Sequence, residues 1–266
     1  METISSRRNA IVAEFRAAAD RRRGDRQLLL DGAHLIEEAR AASVPLVRVA
    51  ISTPWLDDPA ARRLHASLQR SAVRIDVVNE RVMEALSPVR APSGIVAIAE
   101  LPPRRLEQAL AAPDGLVLVA VNVQDPGNVG AIVRAAEAGG ARAVIVAGAS
   151  ADPFGWKALR GSMGSAFRLT VAVEREPDEA LAALRARGWT ILATTPRDGR
   201  RLYSVDFRHG TAVFLGGEGP GLSPALVDLA DERITIPMQS PVESLNVAVS
   251  AALVVYEFGR QRGAHR

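Results

Sequence analysis

Residues able to do chemistry gather in three short stretches of the second half of the chain, each behind a run of β-formers. The first is Asp125-Pro126-Gly127-Asn128-Val129-Gly130, which opens onto a helical pattern carrying Arg134. The second runs Leu215-Gly216-Gly217-Glu218-Gly219-Pro220-Gly221-Leu222. The third runs Ile236-Pro237-Met238-Gln239-Ser240-Pro241-Val242-Glu243-Ser244-Leu245-Asn246. Ligands of open α/β sheets bind in the crevice beyond the carboxyl ends of the strands. Three such loops in one domain read as the walls of a site.

Each stretch offers its own chemistry. The helix start around Asn128 exposes free N–H groups and a positive dipole end. Asn128 and Arg134 there are candidates to hold a phosphate or a ribose hydroxyl; the alternative is a turn residue and a solvated helix charge. Glu218 stands among four glycines, which let backbone approach a ligand closely. A plain turn is the competing reading. Ser244 and Asn246 fall in the expected first turn of a helix over 243–260, apolar on most faces from Val247 to Phe258. Such a helix is expected to be covered by its own sheet and by a partner chain. Polar side chains at its mouth cost desolvation unless they find a partner or a ligand, local capping being the simpler option.

Two groups of elements are expected to position these residues. The first hundred residues alternate, with helices over 5–20, 33–42, 58–68 and 80–86 and strands over 27–31, 46–52, 74–78 and 94–100. This βαβα order predicts a three-layer α/β domain. Residues 101–114, rich in Pro and charge, read as a linker. From 115 the pattern restarts with an apolar strand over 116–121, of the kind buried in a parallel sheet. Further strands are expected over 143–147, 169–173, 190–194, 212–215 and 233–236, with helices over 128–139, 176–187 and 224–229. A cap residue followed by Pro marks three helix starts, at Asp152-Pro153, Ser223-Pro224 and Ser240-Pro241, the last with Glu243 completing a capping box.

Composition narrows the classes. The chain has 266 residues and no Cys, and its four His are scattered, so neither disulfides nor a metal site is expected. No apolar run or N-terminal leader pattern stands out, which predicts a cytoplasmic protein. Net charge is only +3, but Lys157 is the sole Lys and the pI is near 10.1. Residues 1–105 hold 17 Arg against 13 acids. Arg suits phosphate and base contacts, so the first half is the better candidate for RNA. Neither a P-loop nor a dinucleotide glycine fingerprint is present.

In order, the three stretches resemble the signature motifs of the SpoU/TrmH family of RNA ribose 2′-O-methyltransferases. The match runs through Asn128-Val129-Gly130-Ala131-Ile132-Val133-Arg134, then Gly216 to Leu222, then Ile236-Pro237-Met238 and Glu243-Ser244-Leu245-Asn246-Val247. Lys157-Ala158-Leu159-Arg160-Gly161-Ser162-Met163-Gly164-Ser165 is similar to a further family run. The resemblance implies a SPOUT fold over 115–266, a parallel sheet with a deep trefoil knot, behind a ribosomal-protein-like RNA substrate-binding domain over 1–100. It implies S-adenosylmethionine as methyl donor, held by Gly216, Gly217, Ile236, Met238 and Leu245. It makes Arg134 the residue activating the hydroxyl, with Asn128, Glu218, Ser244 and Asn246 orienting it, the ribose or the donor, in a homodimer. The implied acceptor is ribosomal RNA; transfer RNA is the alternative, as is a non-catalytic RNA-binding or ribosome-assembly protein on the same scaffold. Ser240-Pro241 departs from the family pattern, which often has Gly two residues after Pro-Met.

Overall fold

The computed structural model describes residues 3–22, 25–101, 107 and 110–263. By backbone proximity the chain forms two units: residues 1–103 with 154–167, and residues 104–153 with 168–266. Residues 102–106, 108 and 109 of the expected linker lie outside the described residues.

The first unit is built on a four-stranded mixed sheet of β1 (Gln27–Asp31), β2 (Leu46–Ser52), β3 (Arg74–Val78) and β4 (Ile95–Glu100), ordered β1-β4-β2-β3. Helices α1 (Ala10–Ala19) and α5 (Glu80–Leu86) bury Ile11, Phe15, Val82 and Met83 against Leu29, Ala50, Val96 and Ile98. The alternate strand residues Leu28, Leu30, Val49 and Ile51 are equally buried, and α2 (Ala33–Ala41) packs on β1 and β4. Helix α1 begins later than its periodicity suggests. Asn9 caps it by accepting from the Ile11 N–H, while Ile4 bridges to Val78 as a strand. The helix expected over 58–68 forms as a 3₁₀ turn at Pro59–Ala61 followed by α4 (Arg62–Gln69), with an unexpected α3 (Thr53–Asp57) before it; Asp58 accepts from the Ala60 N–H and restarts the chain there.

Among the described residues the second unit holds seven strands, all paired in parallel. They are β5 (Leu116–Val121), β6 (Ala143–Ala147), β7 (Thr170–Glu174), β8 (Thr190–Thr194), β9 (Arg200–Arg201), β10 (Thr211–Gly216) and β11 (Glu232–Thr235). Their order is β7-β6-β5-β10-β8-β11-β9. Every residue of β5 and β6 is buried, as a sheet covered on both faces requires. One face carries α9 (Pro177–Arg185) and α10 (Pro224–Asp228), through Leu181, Leu184 and Leu226. On the other, α6 (Pro126–Ala138) and the final helix α11 (Val247–Arg262) pack together. Gly139 lets them close: a Cβ there would lie 2.0 Å from Val255 Cγ1.

Two expected helix starts are displaced. Phe154 is buried, so the chain turns after Asp152-Pro153, and α7 (Trp156–Ser162) begins only behind Gly155. A short α8 (Ser165–Arg168) follows. At the third loop no capping box forms on Ser240. Residues 239–242 make a turn, and Asn246 caps α11 by accepting from the Ala248 and Val249 N–H groups at 2.8 and 3.3 Å. Ser244 therefore precedes the helix, and Asn246 is its cap instead of a first-turn residue. Ser223 does cap α10 as its sequence suggests, accepting from Leu226 N–H.

Candidate active site

Sheet order brings the three stretches together. Strands run outward from β5 through β6 and β7, then cross to the opposite side with β8, and β10 returns to lie beside β5. The loops after β5 and β10 therefore flank a point where the order reverses, the usual ligand crevice of such sheets. Gly216 pairs in register with Val121, so both loops leave the sheet side by side.

One chain of hydrogen bonds then joins all three. Asn128 Nδ2 donates to Glu218 Oε1 at 2.5 Å. The Gln124 N–H donates to Glu218 Oε2 at 3.0 Å. Asn246 Nδ2 donates to Asn128 Oδ1 at 3.0 Å. Because Asn246 Oδ1 is occupied by the start of α11, its amide can point only one way; this fixes Asn128, and Asn128 in turn faces its donor toward the carboxylate. Burial pushes the Glu218 carboxyl up, but the bonds from Asn128 and from the N–H groups of Glu218, Gln124 and Asp125 outweigh it and hold the group below its ordinary value. Glu218 is thus ionised at neutral pH.

Glycine sets the shape of the second loop. A Cβ on Gly217 would sit 1.9 Å from the Asn122 carbonyl oxygen, and one on Gly216 2.4 Å from the Gly221 backbone. Two stretches of main chain pass there in contact. Between this loop, the ends of β8 and β11 and the start of α11 lies a cavity of ≈ 430 Å³, within the range of roughly 300–1,000 Å³ typical of small-molecule sites.

Gly216, Gly217, Ile236, Met238 and Leu245 all line this cavity, as do Glu218, Ser244 and Asn246. Asn128 stands behind it, bonded to two of the lining residues. Arg134 is not in the lining. Six residues past Asn128, it lies about 240° around the helix axis, exposed and without an ion pair or hydrogen bond among the described residues. Thr194, Thr195 and Pro196 form a wall that motif reading missed. The signal for them is positional, since β8 neighbours β10 and ends on the same edge. The lining contains no Lys or Arg, and Glu218 is its one ionised group.

Residues 115–256 match the model of the SpoU rRNA Methylase family. A tRNA/rRNA methyltransferase of Synechocystis, itself uncharacterised, is 31% identical over 98% of this chain and 95% of its own length. The Bacillus subtilis 23S rRNA (guanosine(2553)-2′-O)-methyltransferase RlmP is 29% identical over 96% of this chain and 98% of its own. The structure of AviRb from Streptomyces viridochromogenes, a SpoU methyltransferase in complex with AdoMet, superposes with a TM-score of 0.86 at 29% identity, covering 97% of this chain and 100% of that one. A parallel sheet whose loop ends meet through Asn128, Glu218 and Asn246, together with a family match over more than half the chain, places this protein in the SpoU rRNA methylase family.

Proposed function

We propose that the chain transfers a methyl group from S-adenosylmethionine to a ribose 2′-hydroxyl of structured RNA, with 23S ribosomal RNA as acceptor. The observation that carries this reading is the hydrogen-bonded series Glu218–Asn128–Asn246 on the wall of the 430 Å³ cavity.

The lining suits the donor. Leu215, Ile236, Met238 and Leu245 supply apolar surface for a purine, and main chain at Gly216 and Gly217 supplies polar edges. A sulfonium meets one carboxylate and no competing cation. When bound, the donor brings a methyl group that is already electrophilic. The remaining task falls on the protein: a ribose hydroxyl is a poor nucleophile and must be oriented as it loses its proton. Asn128 and Asn246, whose amides cannot rotate without breaking the network, orient the acceptor together with Ser244. Arg134 acts by stabilising the developing alkoxide, with the proton passing to an RNA phosphate or to solvent.

Arg134 acts across a homodimer in this reading. Val249, Leu253 and Tyr256 leave an apolar stripe on α11 that is 41–53% exposed, and a second copy covers it. Residues 1–100 select the RNA, and the third loop takes part in the trefoil knot implied by the family.

A labelled methyl-transfer assay on ribosomal and transfer RNA tests the proposal. Transfer to ribosomal RNA that drops roughly 10²–10³-fold in Arg134→Ala, with donor affinity kept, supports it. Donor binding with no transfer to any RNA points instead to a non-catalytic RNA-binding protein. Transfer to transfer RNA alone corrects the acceptor.

A further inference from the structure

The far edge of the second unit's sheet carries features that donor binding does not explain. Strand β9 is the terminal strand, and the segment Arg197-Asp198-Gly199-Arg200-Arg201-Leu202-Tyr203 turns into it and out of it. This segment is rigidly attached. A Cβ on Gly199 would lie 2.7 Å from the Ile234 backbone, Asp198 has a left-handed φ of 61°, and Thr235 Oγ1 donates to the Pro196 carbonyl at 3.0 Å.

Its cations are unevenly committed. Arg200 pairs with Glu232 at 3.2 Å. Arg197 reaches Glu243 only at 3.5 Å, with both side chains over 70% exposed, an arrangement worth little and easily exchanged. Arg201 has no ion pair among the described residues; its Nη1 donates to the Tyr203 hydroxyl at 3.1 Å. Tyr203 is itself 55% exposed. The chain has two Tyr, and the other, Tyr256, belongs to the stripe on α11. Arg on a sheet edge ordinarily keeps foreign strands from pairing, but that task needs no exposed aromatic ring bonded to a guanidinium.

Position gives this strip a purpose. Arg201 is in register with Thr235, directly before the Ile236–Met238 wall of the donor cavity. Arg197 shares a second cavity of ≈ 390 Å³ with Ile236 and Met238. Strand β9 stands three strands from β10, about 15 Å at ordinary strand spacing. That distance suits nucleotides flanking a target ribose and not the target itself. We propose that Arg197, Arg201 and Tyr203 form an RNA-docking strip on the methyltransferase unit. Tyr203 stacks on an unpaired base beside the target, and the two guanidiniums hold phosphates of the same strand. This inference rests on RNA being the substrate, and it assigns part of RNA recognition to the second unit as well as to residues 1–100.

The test measures RNA binding separately from methyl transfer. Full-length protein is titrated with fluorescent fragments of 23S ribosomal RNA and with a single-stranded RNA of about 12 nucleotides, over a range of salt. Arg197→Gln/Arg201→Gln should bind about tenfold more weakly, with a salt slope shallower by about 1.4, two phosphates at roughly 0.7 each. Tyr203→Leu should lose about tenfold with the slope unchanged, while Tyr203→Phe stays within about twofold because its ring still stacks. In transfer assays these variants should raise KM for RNA and leave kcat and donor affinity alone. Wild-type affinity and slope in the double Arg variant, or in Tyr203→Leu, would overturn the strip, as would a wild-type protein that retains no RNA. Wild-type protein that binds RNA through these residues yet transfers no methyl upholds the strip and removes the proposed function.

Discussion

Replacing Glu218 by Gln isolates what the hydrogen-bond series contributes. The carboxylate accepts from Asn128 Nδ2 at 2.5 Å and from the Gln124 N–H at 3.0 Å. An amide can accept only once on that edge. If its oxygen stays with Asn128, its NH₂ faces the Gln124 N–H. If it turns round, its NH₂ faces Asn128 Nδ2. Asn128 cannot turn to compensate, because its oxygen is needed by Asn246, whose own oxygen caps α11. Every arrangement leaves one donor facing another. A charge-assisted bond is worth about 1.5–3 kcal/mol, and the exposure of Glu218 lets water recover part of that. The expected cost is therefore about 1 kcal/mol in stability, with about fivefold weaker donor binding. Because the folded-state value of Glu218 lies below the ordinary 4.5, its contribution is fully present above that pH and is lost as pH falls through the folded value. Denaturant titrations of wild type and Glu218→Gln should therefore differ at neutral pH and converge in acid. A double-mutant cycle with Asn128→Ala should show coupling of about 1 kcal/mol. Equal stability at pH 7, or a gap that widens in acid, would refute the reasoning.

Gly217→Ala should destabilise the fold by about 3 kcal/mol or more, since its Cβ would meet the Asn122 carbonyl at 1.9 Å with backbone on both sides; a melting temperature within about 2 °C of wild type would count against this packing. Leu253→Glu, on a residue 41% exposed, should convert the proposed dimer to monomer in sedimentation experiments, lowering stability only by the association lost, and an unchanged mass would remove the stripe as a dimer contact. The lone carboxylate of the cavity should favour the charged donor over its neutral demethylated product by on the order of 1 kcal/mol, about fivefold. Glu218→Gln should shrink that preference in calorimetry, and an unaltered ratio would show that the charge does not discriminate.

Much of this arrangement was legible in the residues alone. Strands β1, β2, β3, β5, β6 and β8 begin and end where the sequence pattern places them; β5 and β6 are the clearest, because a strand buried on both faces needs an unbroken apolar run. Helix starts were harder, because capping chemistry recurs at places where tertiary contacts decide. Ser240-Pro241 has the same cap-and-Pro pattern as Ser223-Pro224, yet only the latter opens a helix. Asn246 prevailed in the third loop because its amide could bond Asn128 and the helix start together, a partnership spanning 118 residues of sequence. The β8 wall, Thr194 to Pro196, was hidden for a similar reason. Nothing local marks those residues; sheet order alone puts them beside Gly216.

Arg134 separates what one chain completes from what it leaves open. The groups that line the cavity are assembled within a single copy, held by bonds among α6, the loop after β10 and the start of α11, and they include no cation. The residue expected to act on the acceptor is a cation on the solvent side of α6, outside that lining and free of carboxylate partners among the described residues. A guanidinium inside the cavity would repel a sulfonium, and one tied to Glu218 would lose its value toward an alkoxide. Keeping the two apart resolves both conflicts, and in the proposed homodimer Arg134 serves a ribose bound at the site of the other copy. The exposed Val249, Leu253 and Tyr256 on the helix packed against α6 supply a surface for that association. In the proposed homodimer, charge segregation and the uncovered helix face have a common explanation: a second copy completes the acceptor half of the site.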